Sequence, residues 1–129
     1  MINPYLPLSA KILDVKKESP DVKLFRLKFT NPQSQREFNF WHGQFAQIGL
    51  AGFGEAPFDI CSSEANSQKY LEVAVRQVGR LTQALHRLKK GDRVTARGPF
   101  GKGWPKLSEL ANKNLLLVGG GCGFVPLKS

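Results

Sequence analysis

The 129-residue chain has little cysteine: only Cys61 and Cys122. Two are too few for a disulfide framework or a metal knuckle, and without a four-cysteine cluster no iron–sulfur centre is expected in it. Histidine is equally scarce. His42 and His86 have no His, Asp or Cys partner at metal-ligand spacing, so both read as surface or turn residues and no metal is expected. No nucleophile–base pairing is visible, which argues against a hydrolase. No segment approaches the roughly 20 apolar residues of a membrane helix. The start, MINPYLPLSAKILDVKKE, lacks a basic stretch followed by an apolar one, so no signal peptide is expected and a cytoplasmic protein is inferred. Acidic residues are also few, 10 against 19 Lys and Arg, for a net charge of +9.

That charge raises nucleic-acid binding as a candidate. The pattern argues against it. The cations are scattered, with short pairs only at Lys16-Lys17 and Lys89-Lys90, and no basic block interleaves with aromatics. A solvated basic surface is the first reading, and a docking face for an acidic protein partner the second.

What is present reads as strands and turns. KLFRLKF places Phe25, Leu27 and Phe29 on one face and Arg26 and Lys28 on the other. TNPQSQRE reads as a polar loop with a turn-forming Asn-Pro. GQFAQIGL and PFDICSS read as short strands around a glycine-rich turn. YLEVAVRQV puts Leu71, Val73 and Val75 inward and Glu72 and Arg76 outward. RVTARG repeats the pattern weakly. Several short strands with turn clusters imply an antiparallel barrel or sandwich, an all-β fold. One helix interrupts them: Leu81, Leu85 and Leu88 form an apolar stripe, and Gly91 is placed to stop it. KLSELANKN reads as a linker with one helical turn. Leu115 to Val118 is continuously apolar, as in a strand buried on both faces, and the glycine-rich GGGCGFVP follows.

Three stretches could carry chemistry. In QVGRLTQAL, Gly79 precedes a helix start whose free N–H groups suit a phosphate, with Thr82 able to add a hydrogen bond and Arg76 and Arg80 adding charge. The plain alternative is an ordinary strand-to-helix turn. In EAPFDICSS, Phe58 offers a face for stacking, with Asp59, Ser62 and Ser63 beside it; the alternative is a strand entering the core. VGGGCGFVP fits a dinucleotide pyrophosphate loop, or else a flexible glycine-rich tail. Cys61 reads as a small buried apolar residue.

Taken in order, GQF, GEAPFDICSS, LEVAVRQVGRLTQALHRLKKGD, RGPFGKGWP and LLLVGGGCGFVP resemble the ferredoxin–NADP reductase superfamily. They look most like the flavin and nucleotide-binding subunits of cytosolic hydrogenases and anaerobic sulfite reductases. The resemblance implies a Greek-key barrel binding FAD over residues 1–104, a linker at 105–113, and the first strand and Gly-rich loop of a truncated α/β NAD(P) domain at 114–129. It implies a flavin-binding motif beginning at Ala56 and Pro57, with Phe58 against the isoalloxazine and the backbone of Phe58, Asp59, Ile60 and Cys61 facing the polar edge of the ring. Gly79, Arg80, Leu81 and Thr82 would hold the pyrophosphate, with Arg76 or Arg80 supplying charge and Val75 and Gln77 among the cofactor-binding residues. Gly120, Gly121, Gly123 and Pro126 would match the nicotinamide-nucleotide loop. Ala56 stands where the family carries an Arg, and Asp59 where it carries a Ser. The parent protein is expected to pass electrons between NAD(P)H, FAD and an iron–sulfur or ferredoxin-like subunit. The chain by itself is not expected to catalyse this, and a homodimer through the C-terminal segment is expected. The rival is a degenerate barrel that binds no flavin and serves as a docking module.

Overall fold

A computed structural model describes residues 2–129. Six antiparallel strands carry the chain: β1 (Leu8–Lys17), β2 (Val22–Phe29), β3 (Phe45–Leu50), β4 (Gly54–Asp59), β5 (Leu71–Arg76) and β6 (Arg93–Phe100). Their order across the sheet is β4-β3-β6-β1-β2-β5. The sheet curls until β4 and β5 meet, but they meet only at the bridge between Ile60 and Val73. The result is a barrel with a seam.

Alternation dictates the strands. Phe25, Leu27 and Phe29 of β2, Ala10 and Ile12 of β1, Val94 and Ala96 of β6, and Leu71, Val73 and Val75 of β5 all turn inward and are buried. Phe29 and Phe38 pack with ring centroids 4.7 Å apart, a pairing worth about 1 kcal/mol beyond its buried area. A buried Gln35 fastens the neighbouring loops: its Oε1 accepts from the Phe29 amide at 2.9 Å and its Nε2 donates to the Ser67 carbonyl at 2.7 Å.

Five local expectations need correction. The segment Pro32–Glu37, read as loop, is a short helix, α1. Asn31 caps it by accepting from the Gln33 amide, and Pro32 occupies the first turn, where its missing N–H costs nothing. The second helix, α2 (Arg80–His86), ends before the glycine expected to stop it. Gly91 instead forms the turn into β6, at φ +97°. His86 is not on the surface: it is buried, with Nε2 2.7 Å from the Val75 carbonyl. Glu72 points outward from β5 yet is buried, because Arg26 and Lys128 close over it at 3.0 and 3.1 Å. Leu115–Val118 pairs with no strand and is exposed. An apolar run becomes a buried strand only when neighbours supply its ladder and cover its faces.

Past β6 lies the short helix α3 (Leu107–Leu110), then the extended run, then 3₁₀ turns over Gly121–Leu127. These last turns fold back on β5. Lys128 reaches Glu72, and the Trp104 indole N–H donates to the Pro126 carbonyl at 3.0 Å.

Candidate functional site: the seam between β4 and β5

The seam follows from which backbone groups have partners. The Ile60 amide donates to Gln44, so N–H groups of that parity on β4 face β3. Successive strand groups point to opposite edges, so Pro57 and Asp59 present theirs to the seam. Pro57 has no N–H to offer, which suits a strand edge that no ladder occupies. On β5 the Gln77 amide donates to Asp21, so Ala74 and Arg76 face the seam in turn. The Cys61 amide donates to Glu72 at 2.9 Å and marks the closed end. Beyond it the two strands leave main-chain groups facing open space.

Two adjoining cavities fill that space. One, of about 290 Å³, is lined by Ala56, Pro57, Phe58 and Asp59 of β4, Ala74 and Arg76 of β5, Val78 and Thr82 at the start of α2, and Cys122 and Val125 of the C-terminal turns. The other, of about 680 Å³, lies over the outer face of β2 and β5, between Leu24, Ala74, Arg76 and Cys61 on one side and Gly121, Phe124 and Lys128 on the other. Ala74 and Arg76 border both. All three stretches singled out in the sequence therefore meet at one place.

Not every candidate residue meets there. Val75 and Ile60 turn their side chains into the core. Leu81 packs against it from α2. Gln77 is exposed, its amide spent on Asp21. Arg80 leans away, its guanidinium 5.4 Å from the Phe53 ring centroid. Gly120 and Gly123 are exposed and bond to each other, and the Pro126 carbonyl accepts from Trp104 and Ser129. The Thr82 hydroxyl accepts from the Val78 and Gly79 amides at 2.9 and 2.8 Å and lies 3.0 Å from the Gly79 carbonyl. A hydroxyl has one donor and two acceptor sites. This one is fully used in shaping the turn and has none left for a phosphate.

Arg76, the cation that borders both cavities, is paired. Arg76 Nε sits 2.7 Å from Asp21 Oδ2. That hydrogen bond holds the Asp21 carboxyl below the usual carboxylate range. Cys61 is buried at the closed end, and its thiol is pushed up to about 12, first by loss of solvent and then by the nearby Glu72 charge. It is a neutral thiol at physiological pH. Among the described residues no group of three or more potential metal ligands occurs, and no helix is long and apolar enough to cross a membrane.

Sequence reasoning missed Ala74, Asp21 and Leu24. Ala74 carried a faint signal: it is the one small residue on the outward face of β5, between Glu72 and Arg76, where a bulky side chain would fill both cavities. Asp21 gave no local signal, because its partner lies 55 residues away.

A flat heteroaromatic group with polar edges fits these features. Phe58, Leu24, Ala74 and Val125 supply apolar walls, and the free strand edges supply main-chain groups at the right border. Arg76 supplies a cation beside the start of α2, whose first amides lack intrahelical partners.

Comparison with known proteins agrees. The model of the oxidoreductase FAD-binding domain family matches residues 9–104. The gamma subunit of sulfhydrogenase 2 from Pyrococcus furiosus is 38% identical over 128 residues, covering 99% of this chain and 43% of that protein. A probable dihydroorotate dehydrogenase B electron transfer subunit from Methanocella arvoryzae is 34% identical over 94% of the chain and 41% of its own length. The cytochrome P450 reductase GcoB from Amycolatopsis superposes with a TM-score of 0.80 at 29% identity, over 95% of this chain and 37% of that one. The chain thus spans less than half the length of each of these three proteins.

Proposed function

The chain belongs to the family of oxidoreductase FAD-binding domains, and on that premise we propose that the seam between β4 and β5 holds FAD within an electron-transfer subunit. One observation carries the placement: three stretches far apart in sequence converge on adjoining cavities where the two end strands of the sheet, β4 and β5, fail to pair. When bound, FAD supplies the chemistry, taking two electrons as a hydride and releasing them singly.

The chain's own residues bind, orient and shield. Phe58 and Val125 wall the smaller cavity. The edge groups of Asp59 and Ala74 hold the polar border of the ring in register. Arg76, steadied by Asp21, neutralises phosphate charge in place of the Arg that the related motif has at position 56. Cys122 and Val125 bring the glycine-rich turns against the same cavity, which is where a nicotinamide nucleotide would approach. In the whole polypeptide we assign hydride entry from NAD(P)H and exit to an iron–sulfur subunit. The exposed Leu115–Val118 run is where a neighbouring strand, of this chain or of a second copy, would pair.

The test is a calorimetric titration with FAD beside Ala74→Trp. The indole would occupy the space that both cavities share. Wild type is expected to bind FAD and gain melting temperature. The variant is expected to keep its fold by circular dichroism and lose at least tenfold in affinity, about 1.4 kcal/mol. Unchanged heat and melting temperature for wild type under saturating FAD would leave the barrel as a docking module.

A further inference from the structure

The charge of this chain is not spread evenly. On the outer face of the barrel three of the arginines are matched: Arg26 with Glu72, Arg76 with Asp21 and Arg97 with Glu55. One row is not. Lys11 of β1 lies directly opposite Lys28 of β2 on one side and Arg93 of β6 on the other. All three are exposed, and among the described residues none makes an ion pair. Neighbouring strands lie about 4.8 Å apart, so three cations stand within about 10 Å. The turn carrying Lys89 and Lys90 is tied beside them, since Gly91 donates to Ile12 and Ile12 to Asp92. The nearest acids make no ion pair with the row: Asp14 stands across from Arg26, and the Asp92 carboxylate accepts from the Lys89 amide.

Like charges directly opposite on a sheet cost stability. The row therefore works against the fold, and among the described residues no ion pair offsets it. We infer that the outer face of β6-β1-β2, centred on Lys11, Lys28 and Arg93, is the docking surface for an acidic face of a partner protein. Three observations favour a protein over a nucleic acid. The patch is short, one cation on each of three neighbouring strands. None of the exposed aromatics, Tyr5, Phe53, Trp104 and Phe124, belongs to these strands, so no base-stacking platform accompanies the charge. The flanking pair Ser9 and Thr95 is small and polar, as in a rim that a protein surface can approach.

Position adds a second element. β6 and β1 are the middle of the strand order, and β4 and β5 are its ends. In a closed barrel the row lies across from the seam. A partner held there leaves the cavities open, so this contact serves assembly and not the passage of electrons. The inference does not require flavin to be bound.

The test uses a 20-residue polyglutamate peptide as the acidic probe, at low salt. Three proteins are compared: wild type, the row variant Lys11→Gln/Lys28→Gln/Arg93→Gln, and a control with the same charge removed elsewhere, Lys102→Gln/Lys106→Gln/Lys113→Gln. The row variant is expected to lose about tenfold in affinity and the control less than twofold. The row variant is also expected to melt a few degrees higher, since repulsion is relieved, which shows that it folds. Saturating peptide is expected to leave FAD affinity unchanged. Equal losses in both variants, or none in either, would overturn the inference. So would competition between peptide and FAD. Tighter binding of single-stranded DNA than of the peptide, lost in the same row variant, would make nucleic acid the occupant instead.

Discussion

The two sides of this barrel solve opposite problems. Along β6-β1-β2 backbone ladders join the strands, and one row of side chains outside is uncompensated, with Lys11, Lys28 and Arg93 abreast. Along β4 and β5 Glu55, Glu72 and Arg76 are paired, but the strand edges part beyond Ile60 and Val73 and leave cavities. Each side is finished in one respect and open in the other. The closed side holds the fold and is open to charge. The seam side settles most of its charge and is open to a flat ligand. A barrel of six short strands keeps both because its core is shared: Ile12 of β1 and Val73 of β5 belong to one buried cluster.

That division can be broken from the closed side first. Ile12→Ala removes a fully buried side chain far from the cavities. It is expected to cost about 2–5 kcal/mol in chemical denaturation, while FAD affinity of the folded fraction stays within twofold. A large loss of FAD affinity at full folding would mean the two sides are not separable.

The next effect is on the seam side. Glu72→Gln removes the carboxylate that Arg26 and Lys128 share. It is expected to cost about 1–3 kcal/mol and to release the C-terminal turns, read as faster proteolysis after Phe124. Unchanged cleavage would show that Lys128 is not what holds the segment.

Cys61 gives a smaller, pH-dependent effect. Its thiol is raised to about 12 in the fold, whereas an unfolded cysteine ionises near ~8.5. The folded state keeps the proton longer. Its contribution is therefore complete below about pH 8.5 and declines above it, by about 1.4 kcal/mol per pH unit until the folded value is reached. Cys61→Ala is expected to flatten that alkaline decline, measured by urea denaturation at pH 8 and 10. Equal declines in both proteins would place the titrating group elsewhere.

Asp21 works in the opposite direction and is weakest, being exposed. Its carboxyl is held low by Arg76, so its support is complete above the ordinary carboxylate range and lost as pH falls below it. Asp21→Asn is expected to shave the acid limb of a melting-temperature profile by a degree or two.

Much of the closed side could be read from residue alternation. Phe25, Leu27 and Phe29 announce β2 because burial and strand period coincide there. The leucine stripe at 81, 85 and 88 announces α2, though His86 and Val75 fix where it ends. The helix at Pro32 was legible in principle, since Asn followed by Pro is a helix start as well as a turn. The seam was legible only in its parts. Phe58, Gly79 and the glycine-rich turns each gave a local signal, yet their meeting depends on β4 and β5 failing to pair, and no local pattern encodes that. The basic row was illegible for the same reason: Lys11, Lys28 and Arg93 are scattered in sequence and become neighbours only through register. Leu115–Val118 misled because its pattern describes a strand whose neighbours the described fold does not supply.

The most direct check on the division is a ¹⁵N–¹H correlation spectrum of the folded chain, recorded while FAD is added. Amide shifts are expected at Asp59, Ala74, Arg76 and Gly79, with Lys11, Lys28 and Arg93 unmoved. Shifts concentrated on β6-β1-β2, or none anywhere at saturating FAD, would contradict the assignment of the seam as the flavin site.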